Sequence, residues 1–92
     1  MANAVVTLKI MPTSPDSNLD AIKERALEEI RAFNGNKDTR VSIEPIAFGL
    51  NAINIIFVMD ESLGNPDAVS EKVAKIDEVN SAEITDVRRA VG

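Results

Sequence analysis

The sequence contains no histidine and no cysteine, the side chains that most often carry acid–base, thiol and transition-metal chemistry. The carboxylates of Asp60, Glu61 and Asp67 could together hold a hard cation, but their spacing does not match a calcium-binding loop, which favours a solvated loop. The four glycines are too scattered to form a phosphate-binding loop. We therefore expect no catalytic residue, no metal and no cofactor in this chain, which is not expected to be an enzyme.

An unusually apolar turn occupies residues 46–50, with the sequence Ile-Ala-Phe-Gly-Leu. Turns favour polar residues, Gly and Pro, so a Phe at this place needs an explanation. Phe48 either folds back over an open end of the core or is exposed as an anchor for another molecule. Gly49 permits a left-handed turn in both cases. The candidate contact residues here are Ile46, Phe48 and Gly49.

A second candidate site lies near the C-terminus, where Arg88 and Arg89 follow Asp86 and Val87. In a strand these two arginines point to opposite faces, so they cannot form one tight patch. They are either solvated charges that blunt an edge strand or a short cationic finger aimed at an anionic site of a partner.

The overall composition narrows the function further. Ninety-two residues with 45% hydrophobic content predict one globular domain, residues 1–92. A formal net charge of −5 and only three aromatic residues, all Phe, argue against binding nucleic acid directly. No apolar run is long enough to cross a membrane and no secretion signal precedes the first strand. We expect a cytoplasmic protein.

Hydrophobic periodicity predicts four strands and two helices. The strands cover residues 5–11, 39–46 and 51–59, and the last runs from residue 82 toward the C-terminus. The first helix carries apolar residues from Leu19 to Phe33, is capped by Asp16 or Ser17, and stops at Gly35. Residues 60–65 are predicted to be a surface loop, and the second helix starts at Pro66 with Asn65 as its cap.

The element order β-α-β-β-α-β predicts an α+β fold, the ferredoxin-like sandwich of a four-stranded antiparallel sheet with both helices on one face. The first and third strands take the middle of that sheet, which agrees with the strongly apolar third strand. Successive elements alternate in direction, so the 46–50 turn and the C-terminus lie at opposite ends. Their separation is about 20–25 Å for seven-residue strands.

Three segments together resemble the archaeal form of the translation elongation factor 1-beta family. They are residues 5–12 (VVTLKIMP), residues 44–50 (EPIAFGL) and residues 83–89 (EITDVRR). The middle segment is the most specific, because Pro-Ile-x-Phe-Gly between two strands is not a generic hairpin. The resemblance extends over essentially the whole chain.

The resemblance implies a guanine-nucleotide exchange factor that promotes GDP release from elongation factor 1-alpha. Family members contact that GTPase at two points, the Phe of the hairpin motif and the extreme C-terminus. Phe48 matches the first point. A lysine that eukaryotic relatives carry next to the C-terminus is missing, since its place falls at about Gly92 and no lysine follows Lys75. Arg88 or Arg89 would have to replace it.

A different reading of the same fold is a small-ligand regulatory or dimerisation module that pairs sheets across two copies. It requires apolar residues on the open face of the sheet, and Val5, Ile56 and Val58 supply some. The exchange factor is expected to be a monomer, whereas this alternative predicts a dimer. For RNA binding on the open face, the chain lacks the required aromatic and basic residues. For an acylphosphatase-like enzyme, it lacks a glycine-rich loop after the first strand.

Overall fold

The computed structural model of the chain describes residues 2–89. Its elements in chain order are β1 (Asn3–Pro12), α1 (Leu19–Asn34), β2 (Thr39–Pro45), β3 (Asn51–Asp60), a short 3-10 helix (Glu61–Leu63), α2 (Asp67–Ala74) and β4 (Val79–Arg89). This order confirms the predicted α+β, ferredoxin-like arrangement.

The four strands form one antiparallel sheet in the order β2-β3-β1-β4. The two predicted central strands, β1 and β3, are indeed in the middle. β2, which ends at Pro45, is at an edge, where the missing N–H of a proline breaks no internal ladder. Each edge strand therefore pairs with one of the two central strands, β2 with β3 and β4 with β1.

The core lies between the sheet and the two helices. β1 alternates strictly between buried and half-buried residues, as expected of a strand with one face on a core. The buried side chains from both helices and from the central strands form one cluster: Val6, Leu8, Ile10, Ile22, Ala26, Ile30, Ile53, Ile55, Phe57, Val69 and Val73. Both helices therefore cover the same face, and the opposite face of the sheet is open.

The N-terminal cap of α1 differs from the prediction, whereas its C-terminal end is the predicted one. Asn18 is the N-cap, because its Oδ1 accepts a hydrogen bond from the N–H of Ala21 at 3.1 Å. The prediction of Asp16 or Ser17 was wrong, since Ser17 instead accepts from the N–H of Ser14 within the preceding loop. Gly35 ends the helix at φ 70°, as predicted.

Other boundaries also differ from the sequence prediction. α2 begins at Asp67 with Pro66 at its N-cap, not at Pro66 with Asn65 as the cap. The loop over residues 60–65 contains the 3-10 helix, whose N-cap Asp60 accepts from the N–H of Ser62 at 2.9 Å. β4 begins at Val79, three residues before its predicted start, and carries two register shifts against β1. These irregularities break the alternation by which a strand is recognised in sequence.

The strand register confirms that the 46–50 turn and the end of β4 lie at opposite ends of the sheet. Ile10 pairs with Ile53 near the turn, whereas Ala4 pairs with Arg89 at the other end. The central strands have ten residues each, not the seven assumed above. The separation along β3 is accordingly about 30 Å at the usual rise per residue.

Adjacent residues of β3 provide a matched test of this layering. Ile55 is fully buried under the helices, while Ile56 on the open face is 36% exposed. We expect Ile55→Ala to lower the free energy of unfolding by about 2–5 kcal/mol through loss of apolar contact and cavity formation. Ile56→Ala should cost about 1 kcal/mol, mainly from reduced strand propensity. Urea unfolding followed by circular dichroism measures both, and equal losses would contradict the assignment of faces.

Candidate functional site

The turn between β2 and β3 closes the hairpin with two backbone hydrogen bonds. The N–H of Ile46 donates to the carbonyl of Leu50 at 2.8 Å, and the N–H of Leu50 donates to the carbonyl of Ala47 at 3.1 Å. The two central residues, Phe48 and Gly49, have φ values of 60° and 77°. Two successive positive φ angles are the pattern of a type I′ turn, whose twist matches that of the flanking strands.

Phe48 stands at the tip of this turn with 94% of its surface exposed. Of the two possibilities that the sequence left open, folding back over the core is therefore excluded, and the exposed position is observed. A bulky residue with positive φ costs about 1–3 kcal/mol of backbone strain. Since the ring gains no packing in return, its place in the turn is not explained by the stability of this chain alone.

The loop that joins β1 to α1 passes near the hairpin tip, defined as residues 46–50. A Cβ placed on Gly49 would lie 3.7 Å from the Cβ of Pro15. Ile46, 39% exposed, adds apolar surface beside Phe48. The tip thus presents an aromatic ring on a turn whose backbone is defined by two hydrogen bonds.

The second predicted site lies at the far end of β4. The pairing of Arg88 with Val5 and of Arg89 with Ala4 puts the two arginines on opposite faces, as predicted. Arg88, on the open face, bonds through its Nε to Asp86 Oδ2 at 2.9 Å and remains 79% exposed in its side chain. The structure therefore brings neither arginine next to Phe48, and it separates the two from each other.

Among the described residues, Arg89 forms an ion pair with two hydrogen bonds to one carboxylate. Its Nε and Nη2 donate to Glu61 Oε2 and Oε1, both at 2.9 Å, so that guanidinium and carboxylate meet as two parallel hydrogen bonds. This contact lowers the pKa of Glu61 below its ordinary value and raises that of Arg89. Hydrogen bonds from Ser62 likewise lower the pKa of Asp60. All these groups are charged at neutral pH.

Glu61 is the residue that sequence reasoning missed, since it was considered only as a loop carboxylate. Its partner Arg89 is 28 residues away in the chain, and no local spacing signals such a pair. The pair borders a shallow groove of about 340 Å³ lined by Ala4, Met59, Glu61, Gly64, Pro66, Val87 and Arg89. Both Asp60 and Glu61 thus have hydrogen-bond partners within the chain.

Across residues 2–89 the structure contains no group of three or more acidic, His or Cys side chains placed to share a metal ion. In the same range, none of the helices is long and apolar enough to cross a membrane. What the geometry does offer is two surface sites at opposite ends of one sheet, the hairpin tip and the end of β4. The fold is an α+β sandwich with an exposed aromatic side chain at one end and two arginines at the other.

Comparison with known proteins identifies the family of this chain. A family model described as the EF-1 guanine nucleotide exchange domain matches residues 5–90. The chain is 40% identical to elongation factor 1-beta of Methanothermobacter thermautotrophicus over 97% of its own length and 98% of that protein. It is 42% identical to the protein of the same name from Methanobrevibacter smithii, with the same coverage.

The chain belongs to the EF-1 guanine nucleotide exchange family, and its role is guanine nucleotide exchange in translation elongation. This confirms the resemblance that the three sequence segments carry. Gly92, where that resemblance places the missing lysine, lies outside the described residues.

Solved structures agree on the fold alone. The de novo designed protein Foldit4 superposes with a TM-score of 0.65 at 19% identity, over 98% of both chains. BlrP1 BLUF superposes with a TM-score of 0.56 at 9% identity, over all of this chain and 57% of the other. At these identities the superpositions support the sandwich architecture and carry no functional information.

The strain at Phe48 predicts that the turn can be improved. Asn followed by Gly is the preferred dipeptide of a type I′ turn, so Phe48→Asn should raise the free energy of unfolding by about 1 kcal/mol. The melting temperature should rise by about 4–8 °C. Phe48→Ala is the control, because it removes the ring without the conformational preference of Asn, and it should gain less. A clear loss of stability in the Asn variant would mean that the ring packs on the fold after all.

Proposed function

We propose that this chain promotes GDP release from elongation factor 1-alpha by contacting that GTPase at two separated points. The observation that carries the proposal is the ring of Phe48, which is almost fully exposed on a backbone that disfavours bulky residues. Strain of this kind is kept where another molecule uses the conformation. The relatives named elongation factor 1-beta support the identity of the GTPase.

The first contact is the hairpin tip. A lone aromatic side chain on a hydrogen-bonded turn is suited to fill an apolar pocket, and such anchors supply much of the binding energy at protein interfaces. Ile46 would extend the buried apolar surface, and Gly49 would allow the partner to approach the backbone closely.

The second contact is the end of β4. Arg88 uses only its Nε toward Asp86, so the outer edge of its guanidinium can face an anionic group of the partner. Arg89 lies on the opposite face of β4, where its guanidinium is already bonded to Glu61, so it would support this contact from within the chain. Arginine is planar and broader than lysine, so these residues are not equivalent to a lysine that enters a magnesium site. We accordingly assign this end to reshaping the partner's nucleotide region rather than to displacing the metal.

Thermodynamic linkage explains how two contacts suffice. A factor that binds the nucleotide-free GTPase more tightly than the loaded form must weaken GDP binding by the same ratio. No bond is made or broken by the factor, so neither a catalytic base nor a nucleotide pocket is needed. This is the reason we classify the chain as a binding protein without covalent chemistry. It would act as a cytoplasmic monomer without direct contact to nucleic acid or membrane.

The direct test is the release of fluorescent GDP from elongation factor 1-alpha, which the wild-type chain should accelerate. Phe48→Ala should lower that acceleration at least tenfold, about 1.4 kcal/mol in barrier height, because the anchoring contact is lost. The matched control is Ile56→Ala, a partly exposed apolar residue in the middle of the open face, which should exchange like wild type. An unchanged release rate with the wild-type chain would refute the proposal.

Oligomeric state separates the proposal from a dimerisation module. Val5 and Val58 are cross-strand neighbours on the open face, and Ile56 lies beside them. The same face also carries polar contacts, with Lys9 and Asn54 both reaching Glu44. We expect light scattering after size-exclusion chromatography to give the monomer mass of 9.9 kDa. A stable dimer abolished by Ile56→Glu would favour the alternative module.

A further inference from the structure

The last rungs of β4, residues 86–89, receive little support from packing. Thr85 is an extra residue in the ladder, since Leu8 pairs with Ile84 and Thr7 pairs with Asp86. Beyond this bulge Val87 faces the helices but is 53% exposed, so no helix covers it. β4 is also an edge strand and has a neighbour on one side only. Without a further contact, the hydrogen bonds that pair residues 86–89 with β1 would open readily.

Glu61, by contrast, is fixed at three points where β3 ends. Its own N–H donates to the carbonyl of Ala2 at 3.1 Å, which ties it to the start of β1. The side chain of Asp60 caps the 3-10 helix that Glu61 begins. The carbonyl of Glu61 accepts from the N–H of Gly64 at 3.2 Å. Its carboxylate therefore projects from a well-defined backbone.

The ion pair of Glu61 with Arg89 crosses β1 at the N-terminal start of that strand. In the register, Ala4 of β1 lies between Met59 of β3 and Arg89 of β4. Its small side chain leaves the groove over which the carboxylate and guanidinium meet. Surface ion pairs contribute little as a rule, but a bidentate Arg–carboxylate contact adds directional restraint. The pair joins the outermost described part of β4 to the central strands.

We infer that Glu61 is a positioning residue for nucleotide exchange, acting through Arg89. By holding the end of β4 against the central sheet, it fixes the direction in which Arg88 is presented, about 30 Å from the hairpin tip. Arg89 is then occupied inside this chain, and Arg88 is the arginine that faces the partner. This inference rests on the proposed function and adds a residue to which neither the family resemblance nor the sequence gave a role in nucleotide exchange.

The experiment combines GDP release with amide hydrogen exchange of residues 86–89. The variants are Glu61→Ala, Arg89→Ala and the charge-reversed double variant Glu61→Arg/Arg89→Glu, with Glu24→Ala on the exposed face of α1 as the control for loss of a carboxylate. Glu61→Ala should lower the maximal release rate about three- to tenfold, while the factor concentration at half-maximal rate changes little because Phe48 still anchors binding. Amide exchange of residues 86–89 should become faster, and Glu24→Ala should match wild type in both readouts.

Rescue decides between positioning and direct contact. The reversed pair should restore the release rate to within about twofold of wild type, because the restraint returns although Arg89 is gone. A Glu61→Ala variant that exchanges nucleotide like wild type would overturn the inference, as would a reversed pair that stays as slow as the single variants. A wild-type chain that fails to release GDP would instead refute the proposed function itself, a result these variants cannot mimic.

Discussion

The pairing of β1 with both β3 and β4 is the constraint on which the rest of the structure depends. Val6, Leu8 and Ile10 are completely buried, so a one-residue slip of β1 would move all three from the core to the open face. With β1 in the middle and both neighbours antiparallel to it, the β2–β3 turn must lie where β1 ends, and the end of β4 must lie where β1 begins. The two candidate contacts are separated as a direct result of this topology.

Stability and function are unequally distributed over this framework. The buried cluster at the centre uses aliphatic side chains and Phe57, whereas the tip carries an exposed Phe48 at φ 60° and the end of β4 carries charged, weakly packed rungs. Local strain at a turn is tolerated when a long hairpin and a central strand over-determine its position. Both ends therefore take residues that a purely structural sheet would avoid.

Much of this could be predicted from sequence because it depends on periodicity. The alternation in β1, the helical stripe of α1, the apolar run of β3 and Gly35 as helix stop are local signals, and all were confirmed. The exposure of Phe48 could not be predicted, since hydrophobicity does not tell whether a ring folds back or points away. Asn18 was missed because several neighbouring residues can cap a helix. The contact of Glu61 with Arg89 could not be predicted either, as it depends on a bulge at Thr85 and on the small side chain of Ala4.

A rigid sheet would also explain how the proposed contacts could act on a nucleotide that is bound to a partner GTPase. Binding of a factor to a GTPase changes the affinity for GDP only if the factor binds the GDP-loaded and the empty forms with different affinities. A flexible connection between the two contacts would let each dock independently, and the binding at the tip would then impose nothing on the distant nucleotide region. Three of the four strands run the length between the hairpin tip and Arg89, with ladder hydrogen bonds along β1 and β3. In the proposed mechanism, this continuous path and the restraint that Glu61 would add at its far end would together fix the distance between the two contacts.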